Sequence, residues 1–194
     1  MKKRKVYMMK QPHYFYAVPL PRQTQIKIEE WISEVSGTLP FQRWVHPEDL
    51  HITLAFLGGT DEDRLKRSIE RIHELRKGAS FSLGIKKLGI FGNTASPRIL
   101  WTDVSSSSSL SELRDSVYSV CLQEGYELDK RPFNPHITIA RKWKGDGEFN
   151  FSMLEPFFLS EPLDFRVSEF VLYRTHPDRL PKYEVVEKFI LNER

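Results

Sequence analysis

The ten residues Pro47-Glu-Asp-Leu-His-Ile-Thr-Leu-Ala-Phe56 recur, in altered form, as Pro132-Phe-Asn-Pro-His-Ile-Thr-Ile-Ala-Arg141. Both copies read Pro-x-x-x-His-Ile-Thr-(Leu/Ile)-Ala. In an extended strand alternate side chains share a face, so His51 and Thr53 point one way while Ile52 and Leu54 point the other. The same alternation sets His136 and Thr138 against Ile137 and Ile139. Each copy is therefore read as a strand with a polar pair on one side and an apolar anchor on the other. A lone His on a half-buried strand is ordinarily a structural residue. A nine-position pattern repeated 85 residues apart is not explained that way and points to one site built from two matched halves. Imidazole exchanges a proton near neutral pH and a hydroxyl donates a hydrogen bond to an anionic oxygen, so the pair suits acid–base work on an anion.

Working outward, Tyr14 to Leu20 reads as a strand ended by prolines. Arg22 to Ser36 reads as a helix, with Ile28, Trp31, Ile32 and Val35 on one face and Gly37 at its end. His51 to Leu57 is the first motif strand, ended by Gly58-Gly59. Thr60-Asp61 caps a second helix whose stripe is Leu65, Ile69, Ile72 and Leu75, with His73 on its solvated side. Phe81 to Ile90 and Arg98 to Val104 read as strands around a turn marked by Gly92, Asn93 and Pro97. Ser105 to Ser109 runs into the cap of a helix over Leu110 to Glu124. Tyr126 to Leu128 reads as a short strand, Pro135 to Ala140 as the second motif strand, and Trp143 to Glu148 as a polar loop. Phe165 to Tyr173 and Tyr183 to Ile190 close the chain around Pro177 and Pro181. Mixed order with hairpins and no linker of distinct composition argues for one α+β domain over residues 1–194 rather than a doubly wound parallel sheet.

At 194 residues, 40% apolar and 28% charged, the chain has the makeup of an ordinary soluble domain with a sizeable core. A net charge of +3 permits a polyanionic partner without demanding one. The single cysteine, Cys121, excludes an intramolecular disulfide and a Cys-based metal site. Its helical spacing with Leu110, Leu113 and Val117 makes it a core residue rather than a nucleophile. Residues 1–12 read as a flexible basic tail, with Lys2 to Lys5 solvated. They lack the apolar stretch of a secretory signal, and no run approaches the ~18 apolar residues of a membrane span. A cytoplasmic protein is expected.

The chain resembles the 2H phosphoesterase superfamily, defined by two His-x-(Thr/Ser)-x motifs. More narrowly, it resembles the bacterial and archaeal RNA 2′,3′-cyclic phosphodiesterases, also called the 2′-5′ RNA ligase family. Phe15-Tyr-Ala-Val-Pro-Leu-Pro21 resembles the family's opening strand. Trp44-Val-His-Pro-Glu-Asp-Leu-His-Ile-Thr-Leu-Ala-Phe-Leu-Gly58 resembles its first motif, and Pro132 to Arg141 its second. Gly89-Ile-Phe-Gly92 with Pro97-Arg-Ile-Leu-Trp101 resembles its central hairpin. Leu172-Tyr-Arg-Thr-His176 before Tyr183 resembles its closing hairpin, where the family more often has Ser at the position of Thr175. The resemblance implies a two-lobed α+β fold, with two antiparallel sheets related by a pseudo-twofold axis facing a central cleft and helices outside.

Opening a cyclic phosphate needs a base for the attacking water, an acid for the departing ribose oxygen and donors for the phosphorane-like transition state. Two histidines, one neutral and one protonated, supply the first two. Thr53 and Thr138 supply hydrogen bonds to phosphate, and Arg141 adds a cation or else forms a surface salt bridge. The near-symmetric halves do not say which His is which; the resemblance implies His51 as proton donor and His136 as acceptor. No metal or cofactor is implied. The expected partner is RNA or a nucleotide bearing a cyclic phosphate, with no membrane and no protein partner, acting on a monomer. Phe56 is expected to pack in the core.

Two other readings compete. A metal hydrolase would use His51 and His136 as ligands and draw a third from His13, His46 or His176, yet no His-x-His or His-Glu-x-x-His spacing occurs. A non-catalytic RNA-binding module would stack bases on Tyr14, Phe15, Tyr16, Trp44 or Trp101, but would not need two matched histidines.

Overall fold

The computed structural model describes residues 11–193. The basic tail expected over residues 1–12 therefore lies outside the described residues except for Gln11 and Pro12. In chain order the elements are β1 (His13–Pro19), α1 (Arg22–Ser36), β2 (Phe41–Trp44), β3 (His51–Gly59), α2 (Glu62–Glu74), β4 (Phe81–Ile85), β5 (Leu88–Asn93), β6 (Ser96–Asp103), α3 (Ser108–Gln123), β7 (His136–Trp143), β8 (Leu163–Val167), β9 (Glu169–Thr175) and β10 (Tyr183–Ile190). Short 3₁₀ turns lie at Pro47–Asp49 and Phe151–Phe157.

The main sheet runs β10-β9-β1-β3-β7-β6-β5, with every neighbour antiparallel. The short β2 lies beside the second half of β7. The two motif strands, β3 and β7, are adjacent but share a single ladder pair, Ile52 opposite Ile137. On either side of that rung stands one lobe: β10-β9-β1-β3, and β2 with β7-β6-β5. This is the expected α+β fold of two antiparallel halves, and β4 pairs with β8 as a separate ribbon.

Both motif strands carry a β-bulge at the same motif position. Tyr16 faces Ala55 while Ala17 faces Thr53, leaving Leu54 as the extra residue. In β7, Leu100 faces Ala140 while Trp101 faces Thr138, leaving Ile139 extra. A bulge breaks the two-residue alternation. Leu54 and Ala55 are therefore both buried, as are Ile139 and Ala140. The next residue in each copy, Phe56 or Arg141, returns to the face that carries His and Thr. Phe56 is 53% exposed, which corrects the expectation that it packs in the core. Strict alternation placed it there, and the bulge moves it.

The core lies between the other face of the sheet and the helices. Val18, Ile52, Leu54, Leu100, Ile137 and Ile139 pack with Ile28, Ile72, Leu110 and Val117. A second, smaller apolar cluster of Phe15, Ala17, Val171 and Tyr173 sits on the motif face, so β1 is buried on both sides. Helix starts follow their caps: Asp61 Oδ1 accepts the Arg64 N–H at 2.8 Å, and Ser107 Oγ accepts that of Leu110 at 3.2 Å.

Several expected elements differ. The strand read over Phe81 to Ile90 breaks at Lys86-Lys87, whose N–H groups both donate to Asp103 Oδ1. That over Phe165 to Tyr173 breaks at Ser168. In each, the first part joins the β4–β8 ribbon and the second joins the main sheet. Tyr126 to Leu128 forms no ladder; the Tyr126 N–H closes α3 by bonding the Cys121 carbonyl, and its hydroxyl meets Thr60 Oγ1 at 3.1 Å. Trp143 belongs to β7 rather than to the loop after it, and is buried.

Ile52 and Ile137 are fully buried and directly paired. Either substitution by Ala is expected to cost about 2–5 kcal/mol. In a double-mutant cycle read by urea unfolding, the two losses should couple by about 0.5 kcal/mol or more. Additive losses would show that this rung does not join the lobes.

Candidate active site

The rung Ile52–Ile137 fixes the geometry of the site. In an antiparallel pair, one step from it places His51 opposite Thr138 and Thr53 opposite His136. Each imidazole thus faces the hydroxyl of the other copy. Two recesses adjoin these rungs. One, of about 80 Å³, is lined by His51, Thr138, Arg141, Asp49 and Tyr183. The other, of about 560 Å³, is lined by Thr53, His136, Phe56, Phe91, Tyr118 and Phe133 among others. The residues that sequence reading singled out, His51, His136, Thr53, Thr138 and Arg141, all line this pair of recesses, and each recess draws on both motifs.

The imidazoles are oriented identically. His51 Nδ1 lies 2.7 Å from the Asp49 carbonyl oxygen, and His136 Nδ1 lies 2.8 Å from that of Asn134. A carbonyl only accepts, so Nδ1 carries the proton and Nε2 is left free in both. Aromatic walls hold the rings. His51 packs against Phe15 at 4.9 Å and edge-on to Tyr183 at 5.1 Å between centroids. His136 packs edge-on to Phe91 at 4.8 Å, with Trp101 behind at 6.2 Å. Gly89 is required under Trp101, because a Cβ there would overlap the indole.

Here the halves diverge. Asp49 is buried, and its carboxylate accepts the backbone N–H groups of Lys182 and Tyr183 at 2.8 to 3.0 Å. It therefore clasps the β9–β10 hairpin, and with it Tyr183, onto the first motif. Asn134, at the matching position of the second motif, is exposed. Asp49, Tyr173, Tyr183 and Phe91 were missed in the sequence reading. The available signal was the position two residues before each His, where the carbonyl that orients the ring resides.

Burial, with the positive charge of Arg141 and the neighbouring His136, pushes His51 down to about 4; the Asp49 carbonyl and charge oppose this. His136 is also lowered, by burial first and then by Arg141 and Arg131. Arg141 thus acts on both rings. Among the described residues it has no carboxylate within ion-pair distance, so the surface salt bridge considered for it is not formed.

Cys121 is buried and its thiol is pushed up to about 12, as fits a core residue. His176 bonds Glu184, and His46 Nδ1 accepts the Glu48 N–H. No group of three His, Cys, Asp or Glu among the described residues is placed to hold a metal ion. Phe15 and Tyr16 are buried rather than displayed as a stacking platform.

Comparison with known proteins identifies the family. The profile of the 2′-5′ RNA ligase superfamily matches residues 21–179, most of the chain and both motifs. The chain belongs to that family. Among its relatives, a protein of Bacillus subtilis named RNA 2′,3′-cyclic phosphodiesterase is 36% identical over 93% of this chain and 97% of its own length. One of the same name from Geobacillus stearothermophilus is 45% identical over 94% of this chain, which spans only 58% of that relative's length. Solved family folds superpose well. A crystal structure of a Thermus thermophilus protein, TT0787, gives a TM-score of 0.77 at 26% identity, covering 93% of this chain and 98% of that one. Escherichia coli LigT, crystallised with 3′-AMP, gives 0.75 at 24% identity, covering 94% and 100%.

The hydrogen bonds to Asp49 and Asn134 make a spectroscopic prediction. Nitrogen-15 NMR at pH 7 should show His51 and His136 neutral and protonated on Nδ1. On acidification His51 should titrate near 4, and His136 below the ordinary imidazole value. Nε2-protonated rings, or a His51 midpoint above that of His136, would contradict the site described.

Proposed function

We propose that the chain hydrolyses RNA 2′,3′-cyclic phosphate ends to 2′-phosphate ends by metal-independent acid–base catalysis. The observation that carries this reading is the crossed placement of two imidazoles and two hydroxyls around one cleft. Water attacks phosphorus and gives a proton to Nε2 of His136. The P–O3′ bond breaks, and O3′ takes the proton held on Nε2 of His51. Thr53 and Thr138 donate to the non-bridging oxygens as negative charge gathers there, and the Arg141 charge favours the same state. The larger recess, with Phe56, Phe91 and Phe133 on its walls, accommodates the nucleoside. A 5′-hydroxyl in place of water opens the ring in the same direction, breaking P–O3′ and forming a 2′-5′ phosphodiester, which is ligation.

The assignment of roles follows the family resemblance, and the lowered values set its population: the form with His51 protonated and His136 neutral is the minor tautomer of the singly protonated pair. Once protonated, the more strongly depressed His51 is the stronger acid, suited to a departing alkoxide. His136, less buried, is the better base. One chain supplies both halves of the site, which fits a monomer. A cytoplasmic setting belongs to the same reading; among the described residues no helix is long and apolar enough to cross a membrane.

Replacing either His51 or His136 by Ala should lower kcat on a nucleoside 2′,3′-cyclic phosphate by about 10²–10⁴-fold, with an unchanged circular dichroism spectrum. Turnover close to that of the unaltered protein in either variant defeats the proposal. The pH profile follows from the lowered values. The active form has His51 protonated and His136 neutral. That form is one tautomer of the singly protonated pair, which loses its proton as pH rises past the lowered His136 value and takes a second as pH falls through about 4. The kcat/KM bell should therefore peak on the acid side of neutrality, above about 4. The kcat profile should lie at higher pH, because the bound phosphate anion favours imidazolium. A kcat/KM optimum above pH 8 would contradict this, and EDTA should leave both profiles unchanged.

A further inference from the structure

In the β2–β7 ladder Arg43 stands directly opposite Arg141. Directly opposed residues of an antiparallel pair send their side chains to the same face, and like charges so placed repel. Among the described residues neither guanidinium has a carboxylate within ion-pair distance. Both line the small recess beside His51, as do Lys182 and His46. Lys182 also has no acidic partner among the described residues. His46 accepts the Glu48 N–H on Nδ1 at 3.3 Å, which leaves its proton on Nε2 as a further donor. The one carboxylate lining the recess, Asp49, is committed to the N–H groups of Lys182 and Tyr183. The recess therefore gathers unneutralised cations and donors beyond those the reacting phosphate uses. Arg141 is the member that acts on both imidazoles. Arg43 stands one strand further out.

We propose that Arg43, with Lys182 and His46, forms a second phosphate subsite beside the reacting one. It takes the phosphodiester that adjoins the cyclic end, so the chain prefers oligonucleotide ends over mononucleotides. The inference rests on the cyclic-phosphate reading and adds a substrate class to it. A charged partner at this position also makes binding salt-dependent, since each neutralised phosphate releases counterions.

The test compares Arg43→Gln with the unaltered protein on two substrates, a nucleoside 2′,3′-cyclic phosphate and a dinucleotide ending in one. For the dinucleotide, kcat/KM should fall about tenfold, mainly through KM, with a shallower salt dependence. For the mononucleotide it should change less than about twofold. Arg43→Lys should recover part of the loss. Equal losses on both substrates, or none on either, overturn the subsite. If the unaltered protein opens neither substrate, the cyclic-phosphate reading itself falls. Titration of a dinucleotide 3′-phosphate and a nucleoside 3′-phosphate then decides the subsite alone: a selective loss of dinucleotide affinity in Arg43→Gln upholds it, and unchanged affinity overturns it.

Discussion

The antiparallel rung between Ile52 and Ile137 is the constraint on which the site depends. Its two side chains are sealed in the core, so the register is held by burial and not by the polar residues it positions. A slip of one residue would turn one motif's His and Thr into the core. A slip of two would set either imidazole against imidazole or hydroxyl against hydroxyl, according to its direction, and leave the other two groups unmatched. Only the observed register gives each proton carrier a hydroxyl donor across the cleft, and so surrounds one phosphorus atom with alternating groups.

The second device is the paired bulge at Leu54 and Ile139. It lets each strand bury two consecutive apolar residues and still bring a third functional side chain to the cleft. Because the two copies differ at that position, the cleft gains an aromatic wall from Phe56 and a cation from Arg141. A second asymmetry comes from Asp49, which ties down the hairpin bearing Tyr183 and deepens the burial of His51. Symmetric motifs thus acquire unequal proton affinities from their surroundings, which is what a directed proton transfer requires.

Much of this was legible in the sequence. The repeated Pro-x-x-x-His-Ile-Thr pattern marked the site, because alternation along a strand is a local rule. Helix α1 was readable to its ends, since stripe and stop signals lie within it. What sequence did not reveal depended on partners far along the chain. Strict alternation placed Phe56 in the core, because a bulge is defined by the neighbouring strand. The runs through Lys86 and Ser168 each looked like one strand, because nothing local says that two sheets share it. Asp49 drew no reading of its own, because its partners are N–H groups more than 130 positions away.

The most direct test of the central claim is a titration of the histidine ring resonances of the protein with a nucleoside 2′-phosphate, the proposed product. If both copies of the motif grip one phosphate, His51 and His136 will shift together along a single one-to-one isotherm, and both will become more basic. Movement of one ring alone, or two independent isotherms, would show that the halves do not share a site.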